Sequence, residues 1–285
     1  MGTNKESFKM VEIIAITGGK GGTGKSTVAT SLAYELSKNN SVLLVDADVD
    51  CPNDHLLLNI RREKTRTVFQ RIPKFDLEKC NFCGKCGETC KYNAIISINK
   101  QKPIFIQEQC NGCGACEIIS PQKAISWNEK EIGALSKGQK EKLTLLSGDL
   151  KATQPVSEFI VNELNIEIEK EKNNFDYIII DTAAGTHCPV IAAFELAEKI
   201  IAVTEPTPLG EHDLKIILRL LKIINKKGSI IINKSDIGTQ EGIQKLAQEF
   251  DTKIIMNIPY SKEIVKAYSI GEPIQIPKIS SLVKK

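Results

Sequence analysis

Residues 11–36 read VEIIAITGGKGGTGKSTVATSLAYEL, and three kinds of backbone follow one another in that stretch. VEIIAIT is a β-branched run of strand length, GGKGGTGKST is too rich in glycine for regular structure, and VATSLAYEL returns to helix-forming sequence. Gly19 to Ser26 fits the P-loop pattern of a glycine, any four residues, then Gly-Lys-Ser. Its glycines let backbone N–H groups turn inward around phosphates at the positive end of the helix that follows. The expected phosphate cradle is therefore Gly19, Lys20, Gly21, Gly22, Thr23, Gly24, Lys25, Ser26 and Thr27. Lys25 should reach the β- and γ-phosphates, and the Ser26 hydroxyl should ligate Mg²⁺. The bland alternative, a glycine-rich turn that binds nothing, sits poorly with a strand before it and a helix behind it.

Working outward, SVLLVD, KLTLLS, DYIIID, KIIAVT, GSIIIN and TKIIMN repeat the same short apolar run. Continuous runs of this kind suit strands covered on both faces, as in a parallel sheet. Helix-length segments lie between them, at Lys25–Asn39, Val156–Lys170, Leu209–Asn225 and Gln240–Phe250. Strand and helix in alternation predict a doubly wound, mostly parallel α/β fold. The alternation breaks after Asp50 and resumes near Ile132. The interruption is read as a small α+β domain inserted into the larger one, giving boundaries at 1–70, 71–131 and 132–285.

Seven of the nine cysteines fall between Cys80 and Cys116. Cys80, Cys83, Cys86 and Cys90 form one motif; Cys110, Cys113 and Cys116 form a second, with Ser120 where the first has Cys90. The segments CGETCKYNAII (86–96) and CEIISPQKAIS (116–126) thus make an internal repeat. The spacing is that of bacterial ferredoxins, in which three thiolates of a motif hold one cluster and the fourth crosses to the other. Zinc is the alternative, although zinc modules more often pair two Cys-x-x-Cys units across a longer loop. Under the crossing rule cluster II takes Cys90, Cys110, Cys113 and Cys116, a complete [4Fe-4S] set. Cluster I takes Cys80, Cys83 and Cys86, and its missing ligand is at position 120. A serine hydroxyl is a far poorer ligand than thiolate for such iron. A [3Fe-4S] cluster, a labile [4Fe-4S] cluster and an empty site are all open.

Composition restricts the classes. Basic residues number 38 and acidic ones 35, well mixed, which gives no pull toward nucleic acid or membrane. No apolar run reaches transmembrane length, and MGTNKESFKM lacks the apolar core of a signal peptide. Gly2 is no myristoylation site, because position 6 is Glu6. A cytoplasmic protein is expected, and in a reducing compartment clustered cysteines point to metal rather than disulfides.

Lys20, directly after Gly19, makes KGGTGKST resemble the deviant Walker A loop of the ParA/MinD/nitrogenase-iron-protein superfamily. Other motifs follow in that family's order. VLLVDADVD ends a strand with Asp46 and Asp48, and DYIIIDTAAGTHCPV looks like Walker B and switch II. The resemblance implies that Lys20 reaches across a homodimer to the partner's phosphates and that Asp48 orients the attacking water. It also implies that Asp181 holds Mg²⁺ through water, that Gly185 lies near the γ-phosphate, and that Asn233 and Pro259 face adenine. Asn233-Lys234-Ser235-Asp236 equally fits a guanine motif, so GTP stays open beside ATP.

With its cysteines, the whole chain resembles MinD-superfamily P-loop ATPases carrying an inserted ferredoxin domain. It departs from them at Ser120, at Lys91 and at TAAG. The implied function is a Mg²⁺-dependent ATPase coupling hydrolysis to iron–sulfur redox or cluster handling, with an electron-transfer or cluster-receiving protein as partner. Two alternatives belong to other classes: a ParA/MinD-like spatial-organising ATPase with a structural insert, and a nucleotide-switched electron carrier. Cys188 and Cys51 are weighed as further ligands and mostly declined; His55 and His212 default to structural roles. ISSLVKK is too short and weakly apolar for a membrane helix.

Overall fold

The computed structural model describes residues 11–98 and 100–283. The N-terminal segment weighed for lipidation, with Gly2 and Glu6, lies outside the described residues, as do Lys284 and Lys285 of the terminal ISSLVKK.

All seven apolar runs are strands. They are β1 (Glu12–Thr17), β2 (Val42–Ala47), β7 (Leu143–Leu150), β8 (Tyr177–Thr182), β9 (Lys199–Thr204), β10 (Gly228–Asn233) and β11 (Lys253–Ile258). They pair in parallel in the order β11-β10-β9-β1-β8-β2-β7. Two more strands, β3 (Glu63–Phe75) and β6 (Ile125–Lys140), add antiparallel beyond β7, with β3 at the edge.

Alternation along each central strand feeds two cores. Ile13, Leu43, Val45, Ile178 and Ile180 face one side, and Ile14, Ile16, Val42, Leu44 and Ile179 face the other. Helix α1 (Lys25–Ser37) covers the second side through Val28, Leu32 and Leu36. Helices α5 (Glu158–Glu171), α7 (Pro208–Ile223) and α8 (Glu241–Glu249) cover the first. The connections leaving neighbouring strands β1 and β9 therefore go to opposite faces. The crevice between them, outside the carboxyl ends of the strands, is where an open α/β sheet takes a ligand.

The ribbon of β3 and β6 was not anticipated as strand. The pairing runs from Glu63↔Lys137 to Phe75↔Ile125 and crosses the boundaries placed at 71 and 131. Only part of it belongs to the main sheet, because β7 supports β6 no further than Gly133. Pro73 and alternating charge in EKTRTVFQRIPKF speak against a central strand, and both are tolerated at an edge.

Residues 76–124 cap the free end of the ribbon as two similar halves. Helices α3 (Lys85–Glu88) and α4 (Ala115–Ile118) each start at a left-handed glycine, Gly84 and Gly114. The repeat-related pairs Ala94–Ile95 and Ala124–Ile125 are all buried, and Ile95 and Ile125 pack with Phe75 and Phe105, whose rings are in contact. The ribbon grips the second half: Gln70 donates to the Cys110 carbonyl at 2.8 Å and Lys130 to the Gln107 carbonyl at 2.9 Å. Arg71 stacks on Trp127, 4.4 Å from the ring centre.

No helix among the described residues is long and apolar enough to cross a membrane. Residues 279–283 form a 3₁₀ turn with Ile279 and Val283 buried in the α1-side core.

Candidate functional site

The loop between β1 and α1 closes at Gly24, whose φ is +95°. A Cβ there would fall 2.2 Å from Asn233 Nδ2, so glycine is required both for the backbone angle and for the close approach of β10. Asn233 then donates from Nδ2 to the Thr23 carbonyl at 2.9 Å, tying β10 to the loop. Lys25 is 6% exposed, and its Nζ donates to the Lys20 carbonyl at 3.4 Å. That is a weak contact for a buried ammonium, which calls for an anion.

The loop floors a cavity of about 440 Å³. Gly21, Gly22, Gly24, Lys25, Ser26 and Thr27 line it, with Asp48 and Asn53 after β2, Ala184 after β8, Asn233 at the end of β10 and Lys234 just past it. Pro259 and Tyr260 follow β11, and Ile264, Val265 and Tyr268 come from α9 (Lys262–Ile270). Of the expected phosphate cradle, Gly19, Lys20 and Thr23 do not line the cavity. Lys20 instead pairs with Glu205, just past β9, at 2.6 Å, and Lys234 meets the same carboxylate at 3.1 Å. Burial would raise Glu205, but the two lysines outweigh it and hold the carboxyl below its usual range. Asp236 has one oxygen pinned by the Tyr260 N–H at 2.7 Å and does not line the cavity.

Asp181, at the end of β8, is 1% exposed. Burial pushes it up to about 7, against the pull of the Ser26 hydroxyl and the Lys25 charge. Asp46, at the end of β2, accepts from the backbone N–H groups of Asp48, Asn53 and Asp54 at 3.2, 2.8 and 3.0 Å. Burial and then the Asp181 charge carry Asp46 up to about 8. Asp48 is also raised by burial, with Lys25 opposing. Asp46, Asp181 and Asp54 bring one carboxylate oxygen each to within 4.8 Å of one another. Asp54, Asn53 and Glu205 escaped the sequence reading. Asn53 and Glu205 sit in loops and Asp54 opens a four-residue helix, and only the approach of distant strand ends gives them meaning.

The cysteines line two further cavities. Cys80, Cys83, Cys86, Ser120 and Pro121 face the first; Cys90, Cys110, Cys113 and Cys116 face the second. In each, the leading sulfur accepts a backbone N–H at 3.4 Å: Phe82 to Cys80 and Gly112 to Cys110. Both donors have positive φ, so the two loops turn alike. Ser120 Oγ accepts the Ala124 N–H at 3.1 Å. Burial pushes the Cys116 thiol up to about 11 and raises that of Cys110. Cys188 and Cys51 are exposed and face neither cavity. His212 pairs with Asp213 at 3.1 Å; His55 is lowered by burial.

Among curated proteins, the chain is 35% identical over 263 residues to the uncharacterized protein MJ0579 of Methanocaldococcus jannaschii, covering 91% of this chain and 90% of that protein. It is 25% identical over 287 residues to the septum site-determining protein MinD of Thermotoga maritima, covering 96% and 85%. Its fold matches the septum site-determining protein MinD of Pyrococcus horikoshii, solved with Mg-ADP, at a TM-score of 0.57 and 21% identity, covering 93% of this chain and 88% of that one. A ParA family ATPase from Chlorobium tepidum matches at 0.54 and 17%, covering 93% and 92%. The model of the CobQ/CobB/MinD/ParA nucleotide binding domain matches residues 14–274, P-loop and β8 carboxylate included, and the chain belongs to that family.

Proposed function

We propose that the chain is a Mg²⁺-dependent ATPase that dimerises around ATP and works as a nucleotide-operated switch of the MinD/ParA type. One observation carries this reading: Lys25, Ser26, Asp48 and Asn233 meet in a single cavity, with Lys20 held at hand by Glu205. Lys25 would hold the β- and γ-phosphates and Ser26 a Mg²⁺ ion, with Asp181 behind it. Mg²⁺, when bound, neutralises phosphate charge. Asp48, which lines the cavity, would orient the attacking water. The names of the MinD and ParA relatives favour a spatial-organising role over redox work. ATP, but not ADP, should shift the chain from monomer to dimer in light scattering. ATP-dependent co-sedimentation with liposomes or DNA would support the spatial role, and its absence with both would sink it.

Base choice follows from Asp236. A guanine-reading aspartate must offer both oxygens into the pocket, whereas this one lies outside the cavity and is engaged by Tyr260. Competition binding should favour ATP over GTP by about tenfold or more, or ~1.4 kcal/mol. Equal affinities would overturn the adenine assignment.

A second reading, iron–sulfur binding by residues 76–124, has its own support. Zinc with bonds of about 2.3 Å would hold its sulfurs about 3.8 Å apart. Among the described residues no three cysteines bring their sulfurs within 4.8 Å of one another, although four converge on the second cavity. That tells against a single tetrahedral ion, and the N–H···S contacts are of the kind that tune cluster potentials. Cys90, Cys110, Cys113 and Cys116 would hold one cluster, and Cys80, Cys83 and Cys86 the other.

A further inference from the structure

Asp54 is fully buried, and neither of its carboxylate oxygens has a hydrogen-bond partner. It opens the short helix α2 (Asp54–Leu57), one residue after Asn53, which lines the nucleotide cavity. Its surroundings make its position costly. The charges that act on Asp54 are those of Asp46, Asp181 and Asp48, all of its own sign. Lys25, which offsets charge at Asp181 and Asp48, does not offset it at Asp54.

Its two neighbours differ from it. Asp46 is satisfied by three backbone N–H groups, and Asp181 takes the Ser26 hydroxyl while its Oδ1 has no partner. Two oxygens of Asp54 and one of Asp181 thus lack a partner in the protein, and a cation placed among them would satisfy all three. A buried carboxylate is paired, hydrogen-bonded or bound to metal. Hard divalent cations bind carboxylate oxygens at about 2.0–2.6 Å, which places two ligands of one ion about 3–5 Å apart. The three carboxylates, within 4.8 Å of one another, meet that requirement.

We propose that Asp46, Asp54 and Asp181 form a site for a hard divalent cation of the Mg²⁺ or Mn²⁺ class that fills without nucleotide. The inference rests on the nucleotide-site reading for the place of Asp181 beside Ser26, and not on hydrolysis. A Mg²⁺ ion that arrives with ATP is held chiefly by phosphate oxygens, Ser26 and water. Asp54 supplies what phosphate otherwise supplies, enough negative oxygen to hold the ion beforehand. The cation then precedes ATP and remains when the product nucleotide leaves.

The test uses the full chain, stripped of metal and nucleotide, titrated with Mn²⁺ and followed by the EPR signal of the free ion. Wild type should bind about one Mn²⁺ per chain at micromolar concentration, be displaced by Mg²⁺, and melt at a higher temperature with Mn²⁺ than without. Asp54→Asn keeps the shape and removes the charge; it should weaken nucleotide-free Mn²⁺ binding by about tenfold or more and abolish the thermal shift. Should that variant fail to fold, Asp54→Leu removes the same charge with an apolar side chain, and the wild-type titration stands by itself. No binding by wild type at millimolar Mn²⁺, or equal affinity in a folded Asp54 variant, overturns the site. Mn²⁺ binding by a chain that hydrolyses no ATP supports it and counts against the ATPase reading alone.

Discussion

Replacing Lys20 by alanine is expected to lower ATP turnover by about a hundredfold or more, the scale on which a single charge aimed at the transition state contributes. Nucleotide binding by the monomer should persist, because Lys20 stands at the rim on Glu205 and does not line the cavity. Lys25→Ala should instead weaken binding itself, since Lys25 is buried in the loop. Phosphate release, fluorescent-nucleotide titration and light scattering separate the two variants. The ion pair adds a requirement. If Lys20 serves a partner subunit as proposed, it must exchange the Glu205 carboxylate for a phosphate, and Lys234 would remain to neutralise Glu205. Undiminished hydrolysis in the Lys20 variant would show that the extra lysine is a solvated loop charge.

Ser120→Cys should raise bound iron toward about eight per chain and change one cluster signal while leaving the other alone. The cavity lining gives the direction: Ser120 faces Cys80, Cys83 and Cys86, not the three cysteines of its own motif. Cys90→Ser should act on the opposite cavity, the one where four thiols converge, and should also loosen residues 76–124, because Cys90 packs with Ile95 and Phe105. Anaerobic iron and sulfide analysis with EPR reads both variants. A change confined to the cluster of Cys110, Cys113 and Cys116 in Ser120→Cys would sink the crossed arrangement. If iron and spectra stay fixed, the first site is empty or closed by another ligand.

How far the sequence was legible depended on the range of the interaction. The seven parallel strands were plain, because a strand buried on both faces must be apolar throughout, as Ile178, Ile179 and Ile180 are. The P-loop was plain because its geometry is local, set by Gly22 and Gly24 at positive φ. Strand β3 was hidden by its exposure: Glu63, Lys64, Thr65 and Phe69 face solvent, so no apolar alternation announces it. Glu205 and Asp54 were silent for a third reason. Glu205 acquires its role by meeting a lysine 185 residues earlier in the chain, counting from 20 to 205. Asp54 belongs to no motif of the sequence, and only the convergence of β2 and β8 makes it a buried carboxyl without a partner beside two others.

The ribbon has a mechanical consequence. Beyond Gly133 it has no third strand beneath it, and its register slips between Val68 and Phe69, close to where support ends. A bulge there bends and twists the pair locally, while the ladder from Phe69 to Phe75 stays in step. Those seven residues make an arm of about 23 Å at ~3.3 Å per residue. A swing of about 10° at the bulge would carry Phe75 sideways by about 4 Å, roughly one strand spacing. Five residues separate α2, whose first residue is Asp54, from the start of β3, the strand that runs on into this arm. The cysteine cavities, lined by Phe75 and Pro73, thus sit at the far end of the lever, and the stretch of chain that joins them to Asp54 runs through its fulcrum.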